Sequence, residues 1–230
     1  MRMFGLVLLA AFATRTPQAQ DSASTDLLDR AAAQYRAARS VRASFEQTLT
    51  NPLTQTSRSA RGEFTQQGAR QGGQRFALRF SDPAGDAIVN DGQFVWMFLP
   101  STARGQVIKM PLAAGAGLDF ISELLSTPRE HYAVEILADE IVGGRSTAVY
   151  ALSPRKPTAP FTRARLWIGR GDAILWQLET VEPSSLIRKV RFTAVHLGAT
   201  LRRDAFAFVP PPGVRIVDQQ ALMGGVPRKP

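Results

Sequence analysis

Two histidines, His131 and His196, are the only imidazoles in the chain, and cysteine is absent. Neither histidine has a second ligand at metal spacing, and tetrahedral zinc needs three or four clustered ligands, so no metal site is expected. The nearest approach to a nucleophile elbow, Gly144-Arg145-Ser146-Thr147-Ala148, lacks its last glycine and falls where a hairpin turn is expected. Gly115-Ala116-Gly117 is a fragment of a dinucleotide fingerprint, but it follows Pro111 rather than a strand of a parallel sheet. Arg170-Gly171-Asp172 spells an adhesion tripeptide, and turn geometry accounts for its Gly and Asp. Asp139 and Glu140 adjoin, so their carboxylates point apart and share no acid/base site. Neither an enzyme nor a cofactor is expected.

What the chain does carry is apolar surface. In NDGQFVWMFLP (residues 90–100), Asn90, Asp91 and Gly92 suit the positive-φ positions of a hairpin turn. Phe94, Trp96 and Phe98 alternate with Val95, Met97 and Leu99, so this strand is apolar on both faces and something must cover each. A filled sandwich core is one reading and a cavity for an apolar ligand the other.

With 230 residues, 44% of them hydrophobic and 20% charged, the chain is long enough for one medium domain with a sizeable core. Arg2 and the apolar run of residues 5–13 read as a secretory signal peptide over residues 1–19, too short to span a bilayer. Residues 20–222 are expected to form the domain and residues 223–230 a flexible tail. An exported chain without Cys has no disulfides and no thiol to carry a lipid anchor, which predicts a freely diffusing periplasmic protein, expected as a monomer. The net charge is +9, but the arginines come singly or in pairs with no basic run, which argues against nucleic acid as a partner.

Residues 25–41 have the one long helical period, with Leu27, Leu28, Ala31, Tyr35 and Ala38 on one side. From Ala43 the period changes to two, with short runs at 62–66, 75–81, 86–89, 94–99, 106–110, 132–137, 147–153, 162–168, 174–182, 187–197 and 206–209. Such strands with tight turns predict a mainly β, antiparallel fold. Phe76, Leu78 and Phe80 oppose Arg75 and Arg79, Leu166 opposes Arg165, and Trp176 and Leu178 oppose Gln177 and Glu179, so one sheet surface is wet and the other greasy. A short helix with little polar face, containing Phe120, Ile121, Leu124 and Leu125, is expected over residues 119–125. Two helices are too few to fill a wide concavity, which leaves room for a ligand.

Several segments together resemble the periplasmic lipoprotein carriers of the LolA type. They are Val41-Arg42-Ala43-Ser44-Phe45-Glu46-Gln47, Gly62, Arg75-Phe76, the stretch IVNDGQFVWMF at 88–98, and FAFVPPPGVRIVD at 206–218. The resemblance implies a curved, incomplete antiparallel barrel of about 11 strands, with short helices as a lid over a hydrophobic cavity. It also implies acylated lipoproteins as cargo, an inner-membrane ABC-type lipoprotein-releasing complex as donor, and an outer-membrane acceptor. Phe76, Leu78, Phe80, Trp96, Phe98, Leu166, Trp176 and Leu178 are the expected lipid-binding wall, with Phe120, Leu124 and Leu125 from the lid. Family members hold the lid with an arginine on an early strand, usually followed by proline. Arg70 and Arg75 lie in the right region but are followed by Gln71 and Phe76. A carrier of another lipid or glycolipid, and a filled β-sandwich interaction domain, are the alternatives.

Overall fold

A computed structural model describes residues 18–68, 75–115, 118–156 and 159–219. Residues 1–17 of the expected signal segment, Arg70 and the tail lie outside them. The first helix, α1 (Gln18–Ala37), carries Leu27, Leu28, Ala31 and Ala32 in the core. It ends four residues before the expected boundary because Ser40 and Val41 are claimed by the sheet: Val41 pairs with both Gln66 and Leu197.

Twelve strands follow: β1 (Ser40–Asn51), β2 (Thr56–Gln67), β3 (Arg75–Asp82), β4 (Ala84–Asn90), β5 (Phe94–Phe98), β6 (Gln106–Pro111), β7 (Tyr132–Val142), β8 (Arg145–Pro154), β9 (Arg163–Gly169), β10 (Leu175–Val181), β11 (Ile187–Leu197) and β12 (Arg215–Asp218). Between β6 and β7 come a 3-10 turn (Leu112–Gly115), α2 (Phe120–Leu125) and α3 (Pro128–His131). The strands form one open sheet in the order β12-β6-β5-β4-β3-β2-β1-β11-β10-β9-β8-β7. All neighbours are antiparallel except β12, which runs parallel to β6. The alternation at 206–209 is not a strand. Pro210, Pro211 and Pro212 have no N–H to give a ladder, and the segment crosses the face of the sheet instead, pairing only at β12.

The sheet is strongly bent. Leu78 on β3 and Leu178 on β10 are four strand steps apart, roughly 19 Å in a flat sheet at about 4.8 Å per step. Yet both line one space of about 20 Å³. Gly62 sits at a tight point of this bend, where a Cβ would lie 2.3 Å from the Arg79 carbonyl oxygen.

The hairpin turns follow their residue types. Asn90 Oδ1 accepts from Gly92 N, whose φ of +96° only glycine adopts freely, and Asp91 Oδ1 accepts from Gln93 N and Phe94 N at 2.8 Å. Asp91 Oδ2 takes the Trp96 indole N–H at 2.7 Å. Partial burial opposes the Asp91 charge, but these donors together hold its carboxyl below the usual range. Arg170-Gly171-Asp172 is likewise a turn: Arg170 is bonded to Asp139, and Asp172 accepts from Ile174 N and the Trp176 indole.

Candidate functional site

Residues paired across neighbouring strands share a face, so the register assigns the concave wall. One row crosses the sheet as Ile136, Tyr150, Leu166, Leu178, Val190, Gln47 and Ala60. A second runs Val195, Ala43, Phe64, Leu78, Ile88, Met97 and Ile108. The β8 and β9 part of this wall is covered by α1, and α2 lies over the β1 and β2 part, where Ile121 and Leu125 meet Val41, Phe45, Phe64 and Gln66. Burial on that covered part pushes the Tyr150 hydroxyl up to about 12. Toward β6 the wall continues as the half-buried strip Leu78, Ile88, Met97 and Ile108, with Phe80 edge-on to Phe45 at 5.5 Å between ring centres.

The expected wall residues divide. Phe76, Leu78, Phe80, Leu166 and Leu178 stand on the concave face, and Leu124 and Leu125 press onto it from α2. Trp96 and Phe98 do not. They share the convex face with Ala77, Ala87 and Val89, and both pack on Phe208, at 5.6 and 6.1 Å. Val95 and Met97 take the concave positions on β5. Trp176 is also displaced: a bulge between Leu175 and Gln177 turns its ring over Gly169 and under the Arg145 guanidinium at 3.8 Å, at the turn before β10. Phe120 opens α2, but its side chain lies outside the described residues, as does Arg70.

Arg75 is not a lid contact. It lies on the convex face, donates to Gln67 Oε1 at 2.5 Å and stacks on Phe206 at 5.2 Å, so it fastens the C-terminal segment. Arg79 does the same by donating to the Ala207 carbonyl at 2.9 Å.

The contacts that hold α2 come from elsewhere. Asp119 caps the helix by accepting from Ser122 N at 3.2 Å. Gln66 Nε2, inward on β2, donates to Asp119 Oδ2 at 2.6 Å and to Ser122 Oγ at 2.5 Å. Arg36 at the end of α1 donates to the Ser126 carbonyl at 2.6 Å, and the Tyr132 hydroxyl donates to Glu123 Oε1 at 3.0 Å. Burial, with the Glu123 carboxylate beside it, pushes the Tyr132 hydroxyl well above its ordinary value, so this donor keeps its proton. A single polar residue, Gln66, at an inward position between Phe64 and the strand end was the sequence signal for this latch.

Two spaces flank α2. Beneath it, among Phe45, Gln47, Phe64, Leu78, Ile121, Leu178, Val190 and Phe192, about 20 Å³ remains, little more than room for one water molecule. The expected wide empty cavity is therefore filled in this conformation, by α2 side chains. Beside it, a cleft of about 310 Å³ is lined by Tyr35, Arg36, Val41, Gln66, Ile121, Ser122 and Leu125, so the latch stands in its wall.

Comparison with known proteins agrees with this architecture. The family model described as outer membrane lipoprotein carrier protein LolA matches residues 36–209. The chain is 29% identical over 216 residues to the outer-membrane lipoprotein carrier protein of Methylibium petroleiphilum, spanning 94% of this chain and 98% of that one. Among solved structures it shares its fold with MucB, at TM-score 0.50 and 19% identity over 85% of this chain and 66% of that one. An uncharacterized conserved protein from Thermus thermophilus gives TM-score 0.50 and 10% identity over 87% of this chain and 99% of that one. The match over β1 to β11 and both latch elements places the chain in the LolA family of outer membrane lipoprotein carrier proteins.

Proposed function

We propose that the chain is a periplasmic carrier that holds the acyl chains of lipoproteins against the concave wall, beneath a displaced α2. Residues 1–19 act as its export signal. An inner-membrane ABC-type complex loads it and an outer-membrane acceptor unloads it. No catalytic step is assigned to it. Among the described residues no helix is long and apolar enough to cross a membrane.

The observation that carries this reading is a mostly apolar wall whose β1 and β2 part is covered by a helix of only six residues. Such a helix is not stable alone, so α2 keeps its place through its packing and the Gln66, Arg36 and Tyr132 contacts. Ligand pockets hold roughly 300–1,000 Å³, and the cleft of about 310 Å³ beside α2 reaches only the bottom of that range, so several acyl chains are accommodated when α2 lifts and surrenders its own volume.

Energetics explain the donor. At ~0.8 kcal/mol per buried methylene, a triacyl anchor of roughly 45 methylenes is held in a membrane by on the order of 35 kcal/mol, beyond the roughly 20 kcal/mol ceiling of non-covalent affinity. Extraction therefore needs an energy-consuming partner. The carrier has only to keep the chains dry in transit.

Because the chain has no cysteine, Gln66→Cys and Ser122→Cys can be bridged by a short bifunctional thiol reagent that ties α2 to β2. The unbridged form should take up a fluorescent fatty acid and the bridged form should not. Equal uptake by both forms, with no acylated cargo found by mass spectrometry on the protein from its native compartment, would sink the carrier reading.

A further inference from the structure

The concave wall is not apolar to its end. Beyond the Gln47 row, Leu49 pairs with Arg58 on one side and Arg188 on the other, so two guanidinium groups flank a leucine on the same face as the cavity wall. Gln47 is 7% exposed and lines the remaining space with Phe45, Val190 and Phe192, and its Oε1 accepts from Arg188 Nη1 at 3.0 Å. Arg188 also donates to Glu182 Oε1 at 3.2 Å. Arg188 thus bridges the Gln47 amide and the Glu182 carboxylate, and Arg58 stands exposed across Leu49 from it. An amide buried among phenylalanine, valine and leucine is costly unless something polar uses it. Here the Arg188 bond points it toward the open end of the wall, away from α2.

We propose that this rim, formed by Gln47, Arg58 and Arg188, is a subsite for the ester and amide carbonyl oxygens at the head of the bound lipid. Resting on the carrier reading above, it gives the cargo a direction: chain ends lie under α2 and the head lies toward the β1–β2 turn. Guanidinium and amide N–H groups are the donors that carbonyl oxygens accept from. Their position one residue pair beyond the last apolar row is where a head must sit if its chains cover that row. Glu182 neutralises part of the charge, which favours polar uncharged oxygens over a full phosphate charge.

The test uses the full chain and three probes: diphenylhexatriene, which has no hydrogen-bonding atom, a diacylated cysteinyl peptide, and a short-chain phosphatidylglycerol. Gln47→Met and Arg58→Met each replace the donor head by an unbranched apolar side chain, and Arg58 is exposed, so at least one variant stays folded. Both should bind the diacyl peptide about tenfold more weakly and bind diphenylhexatriene within twofold of the unaltered chain. An equal loss of the phospholipid fits the shared ester carbonyls. Loss confined to the phospholipid would mean that the rim reads phosphate, and would overturn the assignment. So would unchanged peptide affinity, or an equal fall for all three probes. If the unaltered chain binds none of them, the carrier reading itself fails.

Discussion

Gln66 Nε2 lies 2.6 Å from Asp119 Oδ2, and this bond joins the second strand of the sheet to the N-cap of the helix that covers its hollow. Both side chains are buried, at 6% and 8% exposure, so water competes little for the contact.

Replacing Gln66 by Leu removes both of its bonds to the α2 segment while keeping similar bulk. The expected loss is about 1–3 kcal/mol of stability, with faster uptake and release of a fluorescent fatty acid. Thermal unfolding and stopped-flow fluorescence check the two halves. A stability loss with unchanged exchange rates would show that Gln66 does not gate.

The two faces of the sheet predict opposite phenotypes. Met97→Glu places a charge on the half-buried concave strip and should weaken probe binding more than tenfold with a small change in melting temperature. Phe206→Ala empties a buried site under Arg75 and should cost roughly 3–5 kcal/mol while the folded fraction still binds normally. Binding isotherms and denaturant titration on both variants separate wall from scaffold.

Asp91 gives a pH signature. Its carboxyl titrates below the ordinary 3.8 in the folded chain, so its contribution is complete above about pH 4 and is lost as pH falls through the folded value. Asp91→Asn should therefore be less stable than the parent at pH 7, by about 1–2 kcal/mol for weakened turn and indole bonds. The difference should shrink in acid. Denaturant midpoints at pH 7 and pH 3 measure it, and a gap that grows in acid would contradict the assignment.

Gly62→Ala forces a methyl group to 2.3 Å from the Arg79 carbonyl oxygen and 2.9 Å from Phe80 Cα, both backbone atoms that cannot step aside. Overpacking of this kind costs about 1–3 kcal/mol. A melting temperature within 1 °C of the parent would mean that the bend can relax.

Alternation located most strands because charged residues mark the wet face, as Arg75 and Arg79 do against Phe76, Leu78 and Phe80. It failed on β5, where both faces are apolar and nothing in the strand says which one the C-terminal segment covers. Phe208, more than a hundred residues away, makes that choice by packing on Trp96 and Phe98. Trp176 was misplaced for a different reason: one bulge residue breaks the period of two. The latch was hidden because the resemblance pointed to arginine. Among the described residues, the neutral Gln66 amide on the neighbouring strand and Arg36 at the end of α1 hold the helix segment, Arg75 is turned to the opposite side, and Arg70 lies outside them. The wide hollow was inferred from the shortage of helices, but three large side chains on one short helix suffice to fill it.

The pairing of Val41 with Leu197 has a kinetic side. The central strand acquires its second neighbour only from residues some 150 positions downstream, and such distant closures are slow to form. Until β11 arrives, one flank of β1 is an uncovered hydrogen-bonding edge that invites foreign strands. The newly made polypeptide thus passes through a long vulnerable interval, during which a holding chaperone has more to offer it than it does once the last third of the chain is in place.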